Sequence, residues 1–423
     1  MLVYEKGELC WGGIKLSSAA EEWGTPMYIY NRSVLEEAFL FIQSHFTSVT
    51  DCICYALKAN SNPVLVECLA ELGAGADIVS MGELIVARQA KVPPGKIVFS
   101  GVGKTEDEIQ YALKERIGAI NIESEQEILC VNNIAADLGI KAPVMLRVNP
   151  DVDPQSHPYI STGKSINKFG IPIESIPDAV HRCVRSTNLE FLGLHMHIGS
   201  QIEAKEPVAR AFKVLAELVD SIEKQGINIS IINLGGGLPV DYAADERRLL
   251  YNLPPEKDPD EGEVVKYWAD CIQTYFDFKR KRIIIEPGRA ITAHAGILLT
   301  KILYTKRRNN KEILIVDAGI NDFIRTAFYG AKHGLVPLRE PGKAEHRVDI
   351  VGPLCETGDF FALDLPFPQC KQGDYIAILS TGAYGFVSTS NYNMRCRPPE
   401  LLIDKGSVRC IRPREKYSDI IKT

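Results

Sequence analysis

The chain has 423 residues, 45% of them hydrophobic and 24% charged, which is ordinary globular usage and excludes disordered, collagen-like and coiled-coil readings. Lys and Arg number 48 against 54 Asp and Glu, and the resulting net charge of −6 gives no broad footprint for nucleic acid or an anionic membrane, so small molecules and proteins remain as partners. No apolar run approaches the ~18 residues of a membrane span, and the 11 cysteines, odd in number and without a CxxC pair, fit neither a disulfide framework nor a zinc site.

The start, MLVYEKGELC, lacks a basic segment followed by an apolar one. Together with the scattered cysteines, most of them in apolar segments (Cys52, Cys54, Cys68, Cys183) and read as small core residues, this makes a reducing cytoplasm the expected location. Residues 1–32 contain strand-like stretches (YEKGELCWGG, then MYIY) that are expected to join a β domain formed elsewhere in the chain.

From about residue 50 to 290, short β-rich apolar runs alternate with stretches of helical period such as NPVLVECLAELG and AFKVLAELVDSIEKQG. Eight runs stand out: 52–57, 76–79, 97–100, 119–122, 144–148, 191–197, 231–234 and 283–286. That alternation predicts an α/β fold, a closed (β/α)8 TIM-like barrel over residues 33–290 with its active site at the C-terminal strand ends. The charged, Pro-containing segment 245–263 reads as a surface insertion between the seventh and eighth strands. After residue 290, β-rich runs separated by turn residues (ILLTKILYTK, KEILIVDAG, HRVDIVG, DYIAILS, SVRCIRP) predict an all-β domain over 291–423.

The residues that can carry chemistry gather at the C-terminal ends of the barrel runs. Lys58, in YALKAN, can form a Schiff base with an aldehyde if its amine is desolvated, though a lone lysine there also suits a rim position. Gly235, Gly236 and Gly237 follow IINL and offer backbone N–H groups to a phosphate, or simply a tight turn. In EPGR (Glu286 to Arg289), Glu286 can face a protonated pyridine nitrogen, or make a rim ion pair. In HMHIGSQ, His195 and His197 share one strand face, with Gly199 and Ser200 placed to hold phosphate oxygens; no carboxylate or Cys of ligand spacing accompanies the histidines, so no metal is expected. A reactive lysine, a phosphate loop, an acid for a pyridine nitrogen and a ring to stack are the parts of a pyridoxal 5′-phosphate site.

Through YALKAN, GADIVSMGE, HPYISTGKSINKFGI, GLHMHIGSQ, NLGGGL, EPGRAI, DAGINDFIR, GPLCETGD and GAYG, in that order, the sequence resembles the fold-type III pyridoxal-phosphate decarboxylases, and among them the branch acting on diaminopimelate. The resemblance implies an alanine-racemase-type barrel plus a β-barrel-like domain containing both chain ends. It implies that Lys58 holds the cofactor and His197 stacks on its ring. Ser200, the three glycines and Tyr384 would bind the phosphate, with Gly288 and Arg289 beside them, and Glu286 would meet the pyridine nitrogen. Met196, where the family often has a small residue or Cys, points along the strand's other face. Arg289, Arg325, Tyr329, Glu356 and Tyr384 would bind substrate, the arginines gripping its far carboxylate; their alternative reading is surface ion pairs. Cys355 and Glu356 would enter the partner subunit's site in a homodimer, Cys355 sharing with Lys58 the role of catalytic acid; taken alone, Cys355 reads as a buried β-domain thiol. Residues 157–171 resemble a loop that closes over substrate. The implied reaction is decarboxylation of meso-2,6-diaminopimelate to L-lysine and CO2, the last step of lysine biosynthesis. The runner-up is a related decarboxylase of ornithine, arginine or carboxynorspermidine, with a non-catalytic regulatory homologue as the reading from another class.

Overall fold

A computed structural model of the chain describes residues 1–155, 162–163, 167–251, 261–277, 280–308, 311–342 and 346–421. It divides into two units, residues 39–240 with 261–290, and residues 1–38 with 241–260 and 291–423.

The first unit is a closed parallel barrel. Its strands are Cys52–Ala56, Gly75–Ile78, Ile97–Phe99, Ala119–Ile122, Ala142–Asn149, Leu189–Met196, Ile231–Asn233 and Arg282–Ile285. Each pairs with the next in sequence, and Ile284 opposite Cys52 closes the ring between the last strand and the first. The eight runs expected from sequence all form these strands. Their Val- and Ile-rich segments are buried on both faces, as a helix-covered parallel sheet requires. Four of the intervening helices start at side-chain caps: Asn62 accepts from Val64 N, Ser80 from Glu83 N, Ser124 from Glu127 N, and Thr105 forms a reciprocal capping box with Glu108. Inward residues change character along the barrel axis. At the N-terminal end they form an apolar cluster of Cys52, Cys54, Val98, Ala119, Met145, Ile231 and Ile284. At the C-terminal end they are Asp77, Asn121, Arg147, His195 and Asn233, all buried.

The second unit is built on a mixed sheet. Met27–Asn31 lies inside it, antiparallel to Gly296–Arg308 (Tyr28 opposite Leu298) and parallel to Glu400–Asp404 (Tyr28 opposite Glu400). The N-terminal segment therefore supplies a strand to the β unit, as the resemblance implied. That strand is buried throughout because its polar groups are satisfied inside: Tyr30 Oη donates to Glu400 at 2.7 Å and Tyr28 Oη to the Asp322 carbonyl at 2.5 Å. Leu2–Glu5 and Glu8–Trp11 form a separate small antiparallel sheet with Ile14–Lys15. The helix Ala244–Tyr251 belongs to this unit, where Arg248 donates to the Leu2 carbonyl and Leu249 and Leu250 pack on the core of Leu9, Trp11, Ile29 and Ile403. Residues 252–260 of the expected insertion lie outside the described residues. Among the described residues no helix is long and apolar enough to cross a membrane.

Candidate active site

The C-terminal mouth of the barrel brings together Lys58, His197, Ser200, the glycines at 235–237, Glu286, Gly288 and Arg289. Lys58 stands on a short turn, Leu57–Ala59, directly after the first strand, and its Nζ donates to Asp77 Oδ2 at 2.5 Å. Asp77 is fully buried, and burial with the nearby Glu286 charge pushes its carboxyl up while Lys58 pulls it back. Its Oδ1 has no hydrogen-bond partner.

Glu286 follows the last strand. Asn233 Nδ2 donates to its Oε1 at 2.6 Å, and His195 Nε2 lies 3.2 Å from its Oε2. Burial would raise this carboxyl, but the His195 charge and hydrogen bond, with Lys58 and Asn233, outweigh it and hold Glu286 below its ordinary range. The Gly236 N–H donates to His197 Nδ1 at 3.1 Å, so the imidazole is oriented by the glycine loop, with Nδ1 unprotonated and its lone pair accepting that bond. Enclosure in the mouth, then the charges of Arg147 and Lys58, lower His197 well below the usual range and keep the ring neutral. Arg289, only 5% exposed, donates from Nε and Nη2 to Ser200 Oγ at 3.1 and 3.0 Å, so it is no surface ion pair.

The glycine loop is more than a turn. Gly235 has φ +65°, and a Cβ there would lie 2.5 Å from the Met196 carbonyl and 2.8 Å from His197 Cβ. A Cβ on Gly236 would lie 2.2 Å from the Glu286 carbonyl. Any side chain would separate the loop from the histidine strand and the Glu286 strand. A backbone cradle, a flat neutral ring, an ionised carboxylate and a lysine beside a buried acid fit a pyridine ring bearing an aldehyde and a phosphate.

The second unit holds its own cluster. Arg325, 6% exposed and so also not a surface ion pair, lies with its guanidinium 5.4 Å from the Tyr242 ring centre, 5.6 Å from Tyr329 and 5.8 Å from Tyr384. Its Nε donates to His333 Nε2 at 3.3 Å, and His333 is fixed in turn by Nδ1 donating to the Leu379 carbonyl at 2.9 Å. Tyr384 has φ +56°, a left-handed conformation uncommon for a tyrosine. Cys355 is exposed, not the buried thiol that its residue type alone suggests. Its loop is held from both sides: Asp359 accepts from Leu354 N and Ile320 N, each at 2.7 Å, and Asn393 Oδ1 accepts from Cys355 N at 3.2 Å. Tyr392 Oη donates to Glu356 at 3.4 Å.

Asp77, Asn233, the His195 contact to Glu286, Tyr242 and His333 are site residues that motif reading missed. For the barrel residues a signal existed, since each is a polar residue interrupting an apolar run at inward parity. Of the loop at 157–171, residues 157–161 and 164–166 lie outside the described residues; Thr162 Oγ1 donates to the His197 carbonyl at 2.8 Å.

Residues 33–293 match the family model of the pyridoxal-dependent decarboxylases, pyridoxal binding domain. The diaminopimelate decarboxylase of Aquifex aeolicus is 43% identical over 421 residues, covering 100% of this chain and 96% of that protein. The diaminopimelate decarboxylase of Pseudomonas aeruginosa is 42% identical over 99% of this chain and 97% of its own length. Among solved structures, Helicobacter pylori diaminopimelate decarboxylase complexed with L-lysine aligns with TM-score 0.87 and 38% identity, covering 96% of this chain and 98% of that one. The diaminopimelate decarboxylase from m. jannaschii, in co-complex with L-lysine, aligns with TM-score 0.91 and 34% identity, covering 99% of this chain and 96% of that one.

Proposed function

The chain belongs to the pyridoxal-dependent decarboxylases, and from that membership we propose that it decarboxylates meso-2,6-diaminopimelate to L-lysine and CO2, the closing step of lysine biosynthesis. The observation that carries the substrate is identity of 43% and 42%, sustained over practically full length, to relatives named for that reaction.

Bound pyridoxal 5′-phosphate supplies an electron sink for the electron pair left behind when CO2 departs. The residues around it have separable tasks. Lys58 would hold the cofactor, and its Nζ, 2.5 Å from Asp77 Oδ2, would be placed to carry a proton with that carboxylate balancing its charge. Glu286, kept ionised by His195 and Asn233, stabilises a proton on the ring nitrogen. His197 presents a neutral flat face on which the cofactor ring would stack, and Ser200, the loop 235–237, Gly288, Arg289 and Tyr384 would bind the phosphate. Arg289, Arg325, Tyr329, Tyr384 and Glu356 read the substrate's distal end. The Arg325 guanidinium, banked by three tyrosine rings, suits a second carboxylate and repels the cationic tail of ornithine or arginine. Cys355 or Lys58 would be the acid that returns a proton to carbon.

The working unit is a homodimer with shared sites. Exposed Cys355 and Glu356 on a braced loop, with Phe328, Tyr392 and Met394 each about half exposed in the same unit, support that assembly. The scattered cysteines support a cytoplasmic location. The test is CO2 release by cofactor-loaded protein offered meso-diaminopimelate, ornithine, arginine and lysine in parallel. Release from diaminopimelate alone is expected; release from a cationic substrate alone overturns the reading of Arg325. Mixing Lys58→Ala with Cys355→Ala protein should restore activity through hybrid dimers, and no recovery after confirmed subunit exchange sinks the shared site.

A further inference from the structure

At the N-terminal end of the barrel, the strand Cys52–Ala56 carries two thiols that the proposed reaction does not use. Cys52 and Cys54 are two residues apart in an extended strand, so both point inward, and their sulfurs lie 3.7 Å apart with one thiol donating to the other. A barrel interior is ordinarily filled at this level by branched aliphatic side chains. Here the two sulfurs instead open on a cavity of about 270 Å³, walled by Val98, Ile231 and Ile284 and bordered by Lys96 and Arg282.

Room beside the sulfurs is kept by Gly75 on the neighbouring strand. A Cβ at that position would lie 2.8 Å from Cys54 Sγ and 2.9 Å from Cys52 Sγ. The two thiols are also unequal. The Cys54 hydrogen bond, helped by Lys96 and Arg282 against burial, brings Cys52 down to about 7, whereas Cys54, which donates that bond and is more deeply buried, goes up. Of the two, Cys52 is therefore the thiol more readily ionised, while the Cys54 Sγ also lies 3.5 Å from the Lys96 carbonyl as a donor.

We propose that Cys52 and Cys54 are a modification site: a dithiol that a small hydroperoxide, entering through the floor cavity, oxidises to an intrastrand disulfide. The Cys52 thiolate attacks one peroxide oxygen, an S–O bond forms, the O–O bond breaks, and the other oxygen leaves as alkoxide or hydroxide and takes a proton from water. Cys54 sulfur then attacks the Cys52 sulfenic acid, the S–S bond forms, and the S–OH oxygen leaves as water with the Cys54 proton. The two sulfurs together lose two electrons and the peroxide gains them. Closure from 3.7 Å to a disulfide length of ~2.05 Å needs the backbone at Cys52, the first residue of the strand, to draw toward Cys54 as well as side-chain rotation into the space that Gly75 leaves, because same-face residues of an extended strand stand about 6.5 Å apart.

Cofactor-loaded protein treated with hydrogen peroxide and mapped by peptide mass should show Cys52 joined to Cys54 within one peptide, a loss of two hydrogens that dithiothreitol reverses. In Cys54→Ser the resolving thiol is gone, and dimedone should trap a sulfenic acid at Cys52. Activity before oxidation should match the parent in that variant. Peroxide that oxidises the exposed Cys355 while leaving Cys52 and Cys54 as thiols overturns the proposal, and so does oxidation of Cys52 no faster than that of buried Cys183. The wild-type peptide map decides by itself if the variant fails to fold.

Discussion

The two ends of the barrel are made by the same strands, yet they solve opposite problems. At the floor, inward side chains are Cys52, Cys54, Val98, Met145, Ile231 and Ile284, small or apolar groups whose burial stabilises the closed sheet. The next inward level, two residues on at Met145 to Arg147 and Ile231 to Asn233, holds Asp77, Arg147, His195 and Asn233, each buried and polar. Burying such groups costs free energy unless they find partners, and they find them in one another and in residues just past the strand ends: Lys58 for Asp77, Glu286 for His195 and Asn233, Glu123 for Arg147 at 2.6 Å. Stability is concentrated at one end and the decarboxylation chemistry at the other, where the buried Asp77 Oδ1 is left without a partner.

Substitutions at the mouth and at the floor should therefore separate activity from stability. The largest effect is expected for Lys58→Ala, which removes the residue that holds the cofactor: kcat should fall by more than about 10⁴-fold. Absorbance of the cofactor-bound enzyme should lose its lysine-dependent band. Next is Glu286→Gln, which keeps the shape but not the charge, and kcat should drop by about 10²–10³-fold while Tm holds or rises. A fall in Tm as large as that of a floor truncation would break the division of labour. At the floor, Met145→Ala should cost about 2–4 kcal/mol of stability through lost burial and a new void, read as a lower Tm, with kcat per folded molecule unchanged.

How far these two ends were legible in sequence follows from where each residue stands. The barrel strands were legible because each is a short, mostly apolar run set between stretches of helical periodicity. Lys58, the glycines at 235–237 and Glu286 were legible because they stand at run ends, outside the apolar stretch. Asp77, His195 and Asn233 sit inside such stretches, and their partners lie 19, 91 and 53 positions away, distances that only closure of the barrel makes short. In the β unit, Phe360–Phe367 and Glu400–Asp404 escaped notice for different reasons. The first contains Pro366 and alternates unevenly, and the second is buried with an acidic residue, Glu400, at its start. Glu400 is tolerable there only because Tyr30 and Arg412, from two other strands, bond to its carboxylate.

The smallest effect expected is at His195, and it tests how the mouth keeps a buried acid ionised. Its Nε2 lies 3.2 Å from Glu286 Oε2, and its charge and hydrogen bond are the chief influences holding that carboxyl down against burial. Replacing it with leucine, His195→Leu, leaves burial unopposed by that partner, so the Glu286 carboxyl must rise. The sign follows from linkage. A carboxyl held below its unfolded value adds stability that is present above the unfolded value, near 4.3, and lost as pH falls through the folded one. In His195→Leu the contribution should be smaller and its loss complete at a higher pH, and the acid limb of the kcat profile should move up with it. At neutral pH kcat should drop only about 10-fold, because Asn233 still donates at 2.6 Å. His195→Gln, which restores a donor without a charge, should recover part of the rate and leave the acid limb between the other two. An acid limb that stays in place in both variants, with kcat reduced, would mean that His195 serves the mouth by packing alone and that Glu286 owes its charge to Lys58 and Asn233.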